Sequence, residues 1–251
     1  MKIILFTMDD PIFTYGILRD LADSEIRLTK VIFLDNPSIT LKRISTLFLV
    51  YGPIYFFEFV GAYLWWNLLK GGRVKSLFDS RGIECLSYNS TQLDLVERKL
   101  GTIEPELIVS VNCNVRLPQT LLEKAKFGGI NLHQGSLPDY KGLMPIFYSQ
   151  LADEPKVGSS IHIMNSKFDS GEILIKEEID ILPGENYVQI WKKLNRVGSA
   201  NLIKVLCFFN NNGALPSSKK QELAGRYFSL PSTGLVMSYF FLQLRRKFLR
   251  Y

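Results

Sequence analysis

The strongest constraint on this chain is an apolar strand that ends in chemically active side chains. Gly129-Ile130-Asn131-Leu132-His133 runs directly into Gln134-Gly135-Ser136-Leu137-Pro138-Asp139-Tyr140-Lys141-Gly142, and Phe168-Asp169-Ser170-Gly171 follows downstream. Side chains alternate along an extended backbone, so Asn131 and His133 share one face and Leu132 takes the other. One face is chemical and the other is core. Gly135, Pro138 and Gly142 then turn the strand into a loop, and the carboxyl ends of strands are where open α/β sheets hold ligands. A histidine judged alone in such a place is more often structural than catalytic. Its neighbours are what make it a candidate.

The rest of the chain supplies an α/β frame. Residues 2–7 and 27–35 read as buried strands with a helix over 12–22 between them, and strand, helix, strand implies a parallel sheet. Further strands are expected at 83–88, 107–111, 159–164 and 173–181, with a short one within 225–231. Helices are expected at 92–99, 119–126, 144–151 and from 187 to about 208. The fold class is therefore α/β: a Rossmann-like open, mostly parallel sheet with helices on both faces and a short C-terminal extension. Residues 1–182 are expected to form the catalytic domain, and 183–251 a C-terminal helix with a small extension. No G-x-G-x-x-G follows the first strand, which argues against a dinucleotide cofactor. The loop over 7–11 is a candidate border of the acceptor substrate.

An aromatic-rich insertion at about 45–70 interrupts this pattern. Residues 46–69 approach the length of a membrane span, but Gly52-Pro53 breaks the run and Glu58 puts a carboxylate inside it. Three readings follow: a broken helix or hairpin packed on protein, an interfacial membrane contact, or a true span. Residues 235–251 form a basic amphipathic end with Arg245, Arg246, Lys247 and Arg250, read either as a solvated terminal helix or as a contact to anionic lipid.

Composition narrows the remaining classes. The chain has 251 residues, 47% of them hydrophobic, which suffices for a full core. Cys85, Cys113 and Cys207 are odd in number and never paired as C-x-x-C, so neither a disulfide framework nor a zinc site is indicated. With only His133 and His162 as imidazoles, no metal is expected. The first residues are too short an apolar run for a signal segment, and the expected location is cytoplasmic, with peripheral contact at the inner membrane face as an option. A net charge of +6 favours anionic partners without choosing among them.

The two motifs together resemble the signature of the folate-dependent formyltransferases. In that family an Asn-x-His strand end precedes a Leu-Pro-x-Tyr-(Arg/Lys)-Gly loop and, about one βα unit later, an Asp-x-Gly. Here the matching residues are Asn131-Leu132-His133, Leu137-Pro138-Asp139-Tyr140-Lys141-Gly142 and Asp169-Ser170-Gly171. Many members have His-x-Ser-Leu-Leu-Pro; in this chain the serine is displaced by one position.

The resemblance implies formyl transfer from 10-formyltetrahydrofolate, with Asn131, His133 and Asp169 catalytic. It also implies that Asn114, Arg116, Leu117 and Asp169 meet the folate, and that Gly135, Ser136, Tyr140 and Lys141 meet the acceptor. Arg116 has a competing reading as a solvated loop charge, and His162 reads as structural or supporting. Methionyl-tRNA formyltransferases carry a further basic β-barrel that the roughly 40 residues after the last long helix do not provide. Glycinamide ribonucleotide transformylases carry a glycine-rich phosphate loop that Thr7-Met8-Asp9-Asp10-Pro11 does not match. The expected acceptor is therefore the amine of a nucleotide-linked amino deoxysugar, used in making surface polysaccharide, with Phe147 and Tyr148 as candidate stacking residues and no nucleic-acid partner. The alternatives are a tRNA formyltransferase-like enzyme, a formyl hydrolase, and a non-enzymatic membrane-associated or scaffold protein. The oligomeric state, a homodimer included, is not fixed by the sequence.

Overall fold

The computed structural model describes residues 1–10, 12–35, 41–68, 73–113, 115–221 and 225–248. Strands β1 (Ile3–Thr7), β2 (Lys30–Asp35), β3 (Glu84–Asn89), β4 (Leu107–Val111) and β5 (Gly129–His133) are parallel. A two-stranded ribbon joins β6 (Tyr140–Gly142) to β9 (Arg226–Phe228), while β7 (Lys156–Ile163) and β8 (Ile173–Asp180) extend the main sheet antiparallel beyond β5. The main sheet has the order β3-β2-β1-β4-β5-β7-β8. The chain winds outward from β1 to β3 and then returns to β4, so the order reverses beside β1, the place where doubly wound sheets open a crevice.

Period-2 alternation explains the two cores. Along β1, Ile3 and Leu5 enter one cluster and Ile4 and Phe6 the other, all fully buried. The first cluster is closed by α1 (Tyr15–Asp23), α3 (Arg73–Asp79) and α7 (Tyr187–Asn212) through Leu18, Phe78 and Phe209. The second is closed by α4 (Leu93–Gly101) and α5 (Gln119–Leu122) through Val96 and Leu121. Each such side chain contributes about 1.5–3 kcal/mol on burial. Helix α7 starts at an Asn186–Gln189 capping box and ends at Gly213 in the left-handed conformation.

A third cluster ties the remaining helices together. Val50 and Tyr51 of α2 (Leu41–Leu68), Ile146 and Phe147 of α6 (Pro145–Leu151), Trp191 of α7 and Val236 and Tyr239 of α8 (Thr233–Phe248) pack as one group. The aromatic insertion is thus a broken helix. Gly52 leaves helical geometry at φ 77°, and Pro53 has no N–H to give the preceding turn. No helix among the described residues is long and apolar enough to cross a membrane. Tyr239 donates its hydroxyl hydrogen to Gln150 Oε1 at 2.6 Å inside this cluster. Tyr239→Phe strands that oxygen, and the expected loss is about 1–3 kcal/mol, read as a lower urea midpoint. An unchanged midpoint would contradict the pairing.

Boundaries differ from the sequence expectation in several places: α1 starts at Tyr15, β2 at Lys30, α7 runs to Asn212, and the short strand β6 lies where a loop is expected. Helix α5 stops at Leu122, because the following residues make i→i−3 turns (Lys124 to Leu121, Ala125 to Leu122) that end at left-handed Gly128. β7 begins at Lys156, its first residues held by pairing with β8 rather than by apolar content. Helix α3 is absent from the sequence expectation: of its residues from Val74 on, only Val74 and Phe78 are buried.

Candidate active site

β5 is the last parallel strand, and its carboxyl end opens onto the signature loop. Ile130 and Leu132 are enclosed in core, which turns Asn131 and His133 to the other face. Antiparallel β7 sets His162 directly across from Asn131 and Ser160 across from His133. His162 Nδ1 lies 2.8 Å from the Ile163 carbonyl, and its Nε2 lies 3.2 Å from the Asn131 amide nitrogen.

Asp169 approaches from the loop between β7 and β8, in a left-handed backbone conformation with φ 49°. Its Oδ1 stands 3.6 Å from His133 Nδ1 and 3.3 Å from His162 Nε2, and its Oδ2 accepts the Gly142 N–H at 2.8 Å. The Gln221 amide donates to the Asp169 and Gly171 carbonyls at 3.0 and 2.7 Å. Gly171 itself passes so close to β7 that a Cβ would lie 1.8 Å from the Ile163 carbonyl oxygen. Four side chains from three segments thus converge: Asn131 and His133, His162, and Asp169.

The signature loop folds over this cluster. His133 Nε2 donates to the Tyr140 carbonyl at 2.6 Å, and a Cβ on Gly135 would come within 2.5 Å of the same nitrogen. Gly135 therefore makes room for the imidazole. Ser160 anchors the loop by donating to the Gly135 carbonyl at 2.7 Å and accepting from the Leu137 N–H at 3.2 Å. Ser136 is buried, and Lys141 sits in β6 opposite Tyr227.

Burial and charge set the protonation states. Burial alone would raise the Asp169 carboxyl, but His133, His162 and the Gly142 N–H outweigh it and bring its pKa down to about 2. Its contribution to stability is present above the ordinary carboxylate range near ~3.9 and is lost as pH falls toward 2. His133 is pushed below the usual imidazole range, chiefly by burial and against the raising effect of Asp169 and the Tyr140 carbonyl. Its neutral form is favoured. For any reaction in which neutral His133 takes a proton, the acid limb of kcat/KM is expected below pH ~6.5, and Asp169→Asn, by removing the raising charge, should move that limb lower still. A wild-type limb above that value would contradict the assignment.

The folate-side candidates divide. Arg116 donates to the Ser166 carbonyl, and its guanidinium lies 5.9 Å from the centre of the Phe168 ring. It is thus engaged, joining the loop after β4 to the loop that carries Asp169. The Leu117 side chain is core, packed with Phe6 and Leu121, which leaves its main chain as the part that can meet a ligand. Asn114 lies outside the described residues.

On the other side of Tyr140 lies a cleft of about 590 Å³. Tyr148 and Phe228 stack at 4.2 Å between ring centres and line it with Tyr140, Glu154 and Arg226. Tyr140 donates its hydroxyl hydrogen to Glu154 at 2.9 Å; burial first, then that carboxylate, push its pKa to about 12. Phe147, a candidate stacking residue by sequence, is fully buried against Tyr239, because α6 turns that position inward. His162 and Gln221 were not singled out as site residues. His162 was legible in principle, since antiparallel pairing puts it in phase with Asn131, whereas Gln221 reaches the site only through the tertiary fold.

A doubly wound α/β sheet with an Asn, His and Asp cluster at its strand ends is the architecture of a group-transfer fold of the formyltransferase type. The family model described as "Formyl transferase" matches residues 70–206, and the chain belongs to that family. Among curated relatives, a methionyl-tRNA formyltransferase of Ehrlichia canis is 33% identical over 145 residues, covering 58% of this chain and 48% of the relative. One from Bacillus licheniformis is 29% identical over 204 residues, covering 78% and 63%. The chain therefore spans about half to two-thirds of the length of these relatives. Among solved structures, a 4-N formyltransferase from Francisella tularensis superposes with TM-score 0.60 at 18% identity, covering 96% of this chain and 87% of that one. The formyltransferase PseJ from Anoxybacillus kamchatkensis, solved with UDP-4,6-dideoxy-4-formamido-L-AltNAc and tetrahydrofolate, gives 0.50 at 24% identity, covering 61% and 77%. At these identities the likeness concerns the fold.

Proposed function

We propose that this protein is an N-formyltransferase that moves a formyl group from 10-formyltetrahydrofolate to the primary amine of a nucleotide-linked amino deoxysugar. The observation that supports the reading is the approach of Asp169 to both His133 and His162 at the mouth of β5, with Asn131 held beside His162. The amine nitrogen attacks the formyl carbon and the proton it sheds goes to His133. An N–H of Asn131 stabilises the oxygen as charge develops, an effect worth about 3–4 kcal/mol of barrier when preorganised. Asp169, ionised, balances the imidazolium. The tetrahedral species then collapses with cleavage of the bond to the folate nitrogen, which takes the proton held by His133 and returns the imidazole to its neutral form. In the geometry described His133 Nε2 gives its proton to the Tyr140 carbonyl, so the amine can take that partner's place only with the imidazole proton moved to Nδ1, which faces Asp169, leaving Nε2 to accept.

The cleft beside Tyr140 has the size of a small-molecule site, and its stacked Tyr148 and Phe228 suit a ring, with Arg226, Asp139 and Glu154 as the charged groups around it. The loop after β4 is the proposed folate side, through Arg116 and the main chain near Leu117. A second reading, transfer to methionyl-tRNA, draws on the names of the curated relatives. Incubating the purified protein with 10-formyltetrahydrofolate and either a panel of nucleotide-linked amino sugars or charged methionyl-tRNA separates the two. Formamide product on a sugar supports the proposal, product on tRNA alone replaces the acceptor, and no product on any amine removes the reading.

A further inference from the structure

We infer that the outer faces of α2 and α8 form a docking surface for an anionic lipid bilayer, on which the protein lies without crossing it. Both helices fall outside the segment that matches the family model, α2 before it and α8 after it, and they pack against each other. The inner side of α2 is accounted for by Val50, Tyr51, Tyr55 and Phe59 in the third cluster. Apart from Glu58, the outer side after Pro53 is apolar, unlike a solvated helix face. Ile54, Phe57, Leu64, Trp65 and Leu68 recur at helical spacing and stand exposed, Ile54 at 80% and Leu68 at 75%. On α8, Met237 and Phe241 are likewise exposed, with Arg245 one turn beyond. A contiguous apolar face of this kind marks a contact surface.

Charge selects the occupant. In the sequence, residues 41–75 and 233–251 together hold nine of the chain's 30 Lys and Arg but one of its 24 Asp and Glu, leaving 21 bases against 23 acids elsewhere. The whole positive excess of the protein thus belongs to the two stretches that carry the apolar face. A second copy of the same face would meet its own charge and be repelled. A nucleic acid would take the charge but leave exposed Ile, Leu and Trp uncovered. An anionic bilayer surface takes both, the apolar arc entering the headgroup boundary while exposed Arg245 meets phosphate, with Trp65 suited to the interface. The Gly52-Pro53 break and Glu58 keep the helix from spanning.

Flotation with extruded vesicles tests this. Binding to phosphatidylcholine vesicles containing roughly one third phosphatidylglycerol is expected to exceed binding to pure phosphatidylcholine by about tenfold or more, and to fall in high salt. The double variant Ile54→Glu, Leu64→Glu replaces two exposed side chains and should keep the far-ultraviolet circular dichroism while losing about tenfold or more of the binding. Arg245→Glu should lower binding to the anionic vesicles only. No vesicle binding by the folded wild type, or equal binding to both lipids, overturns the inference. So does a dimer in sedimentation that the double variant dissolves, or retention on RNA in place of lipid.

Discussion

His133→Ala is expected to lower kcat by about 10²–10⁴ while the protein stays folded. The imidazole is the proton acceptor of the proposed transfer, and no other group in the cluster is placed to replace it: Asn131 does not titrate, Asp169 is held ionised near a pKa of about 2, too weak a base at neutral pH, and His162 has both ring nitrogens engaged, one with the Ile163 carbonyl and the other with Asn131 and Asp169. The fold should survive because the ring sits at the end of β5, in the loop it anchors, rather than among the sheet's core residues. The measurement is single-turnover release of tetrahydrofolate alongside a thermal melt. A variant that keeps the wild-type rate would transfer the base role elsewhere and undo the mechanism.

Gly171→Ala is expected to damage both stability and turnover, by a different route. The added carbon would lie 1.8 Å from the Ile163 carbonyl oxygen, and backbone on both sides leaves no flexible side chain to yield. The loop must move away from β7, and Asp169, two residues earlier, moves with it. Gln221 then loses its paired acceptors at the Asp169 and Gly171 carbonyls. A loss of at least ~3 kcal/mol is expected, seen as a melting temperature lower by roughly 6–12 °C in a chain of this size. Turnover should fall even well below the melt. A variant with unchanged melting and unchanged rate would mean that the loop packs otherwise than described.

Much of the sheet was legible in the sequence for a simple reason: buried strands such as Leu107–Val111 are short apolar runs whose ends are marked by turn residues. Asn131 and His133 were legible because alternation fixes which face a strand residue takes. Asp169 was nameable only through the family motif, since nothing local to Phe168-Asp169-Ser170-Gly171 says that this loop returns to the end of β5. His162 was weighed as structural or supporting, because its place depends on which strand pairs antiparallel with β5 and in what register. Phe147 and Tyr148 show the same limit at finer scale. Adjacent aromatic residues at the start of a short helix are equivalent in a sequence, yet one is enclosed by Tyr239 and the other opens on the cleft. The arrangement of α2 against α8 depends on contacts between segments almost two hundred residues apart, which local pattern does not encode.

The ribbon of β6 and β9 has a bearing on how the protein comes into being. Tyr140 and Arg226, joined in that ribbon, stand 86 positions apart in the chain. At about 5–20 residues per second, a ribosome that has just made the signature loop needs ~4–17 s more to supply the strand that holds it. During that interval the sheet through β5 can already assemble, with the loop over His133 still lacking its partner. The proposed active site is therefore finished late in synthesis, after most of the scaffold that carries it.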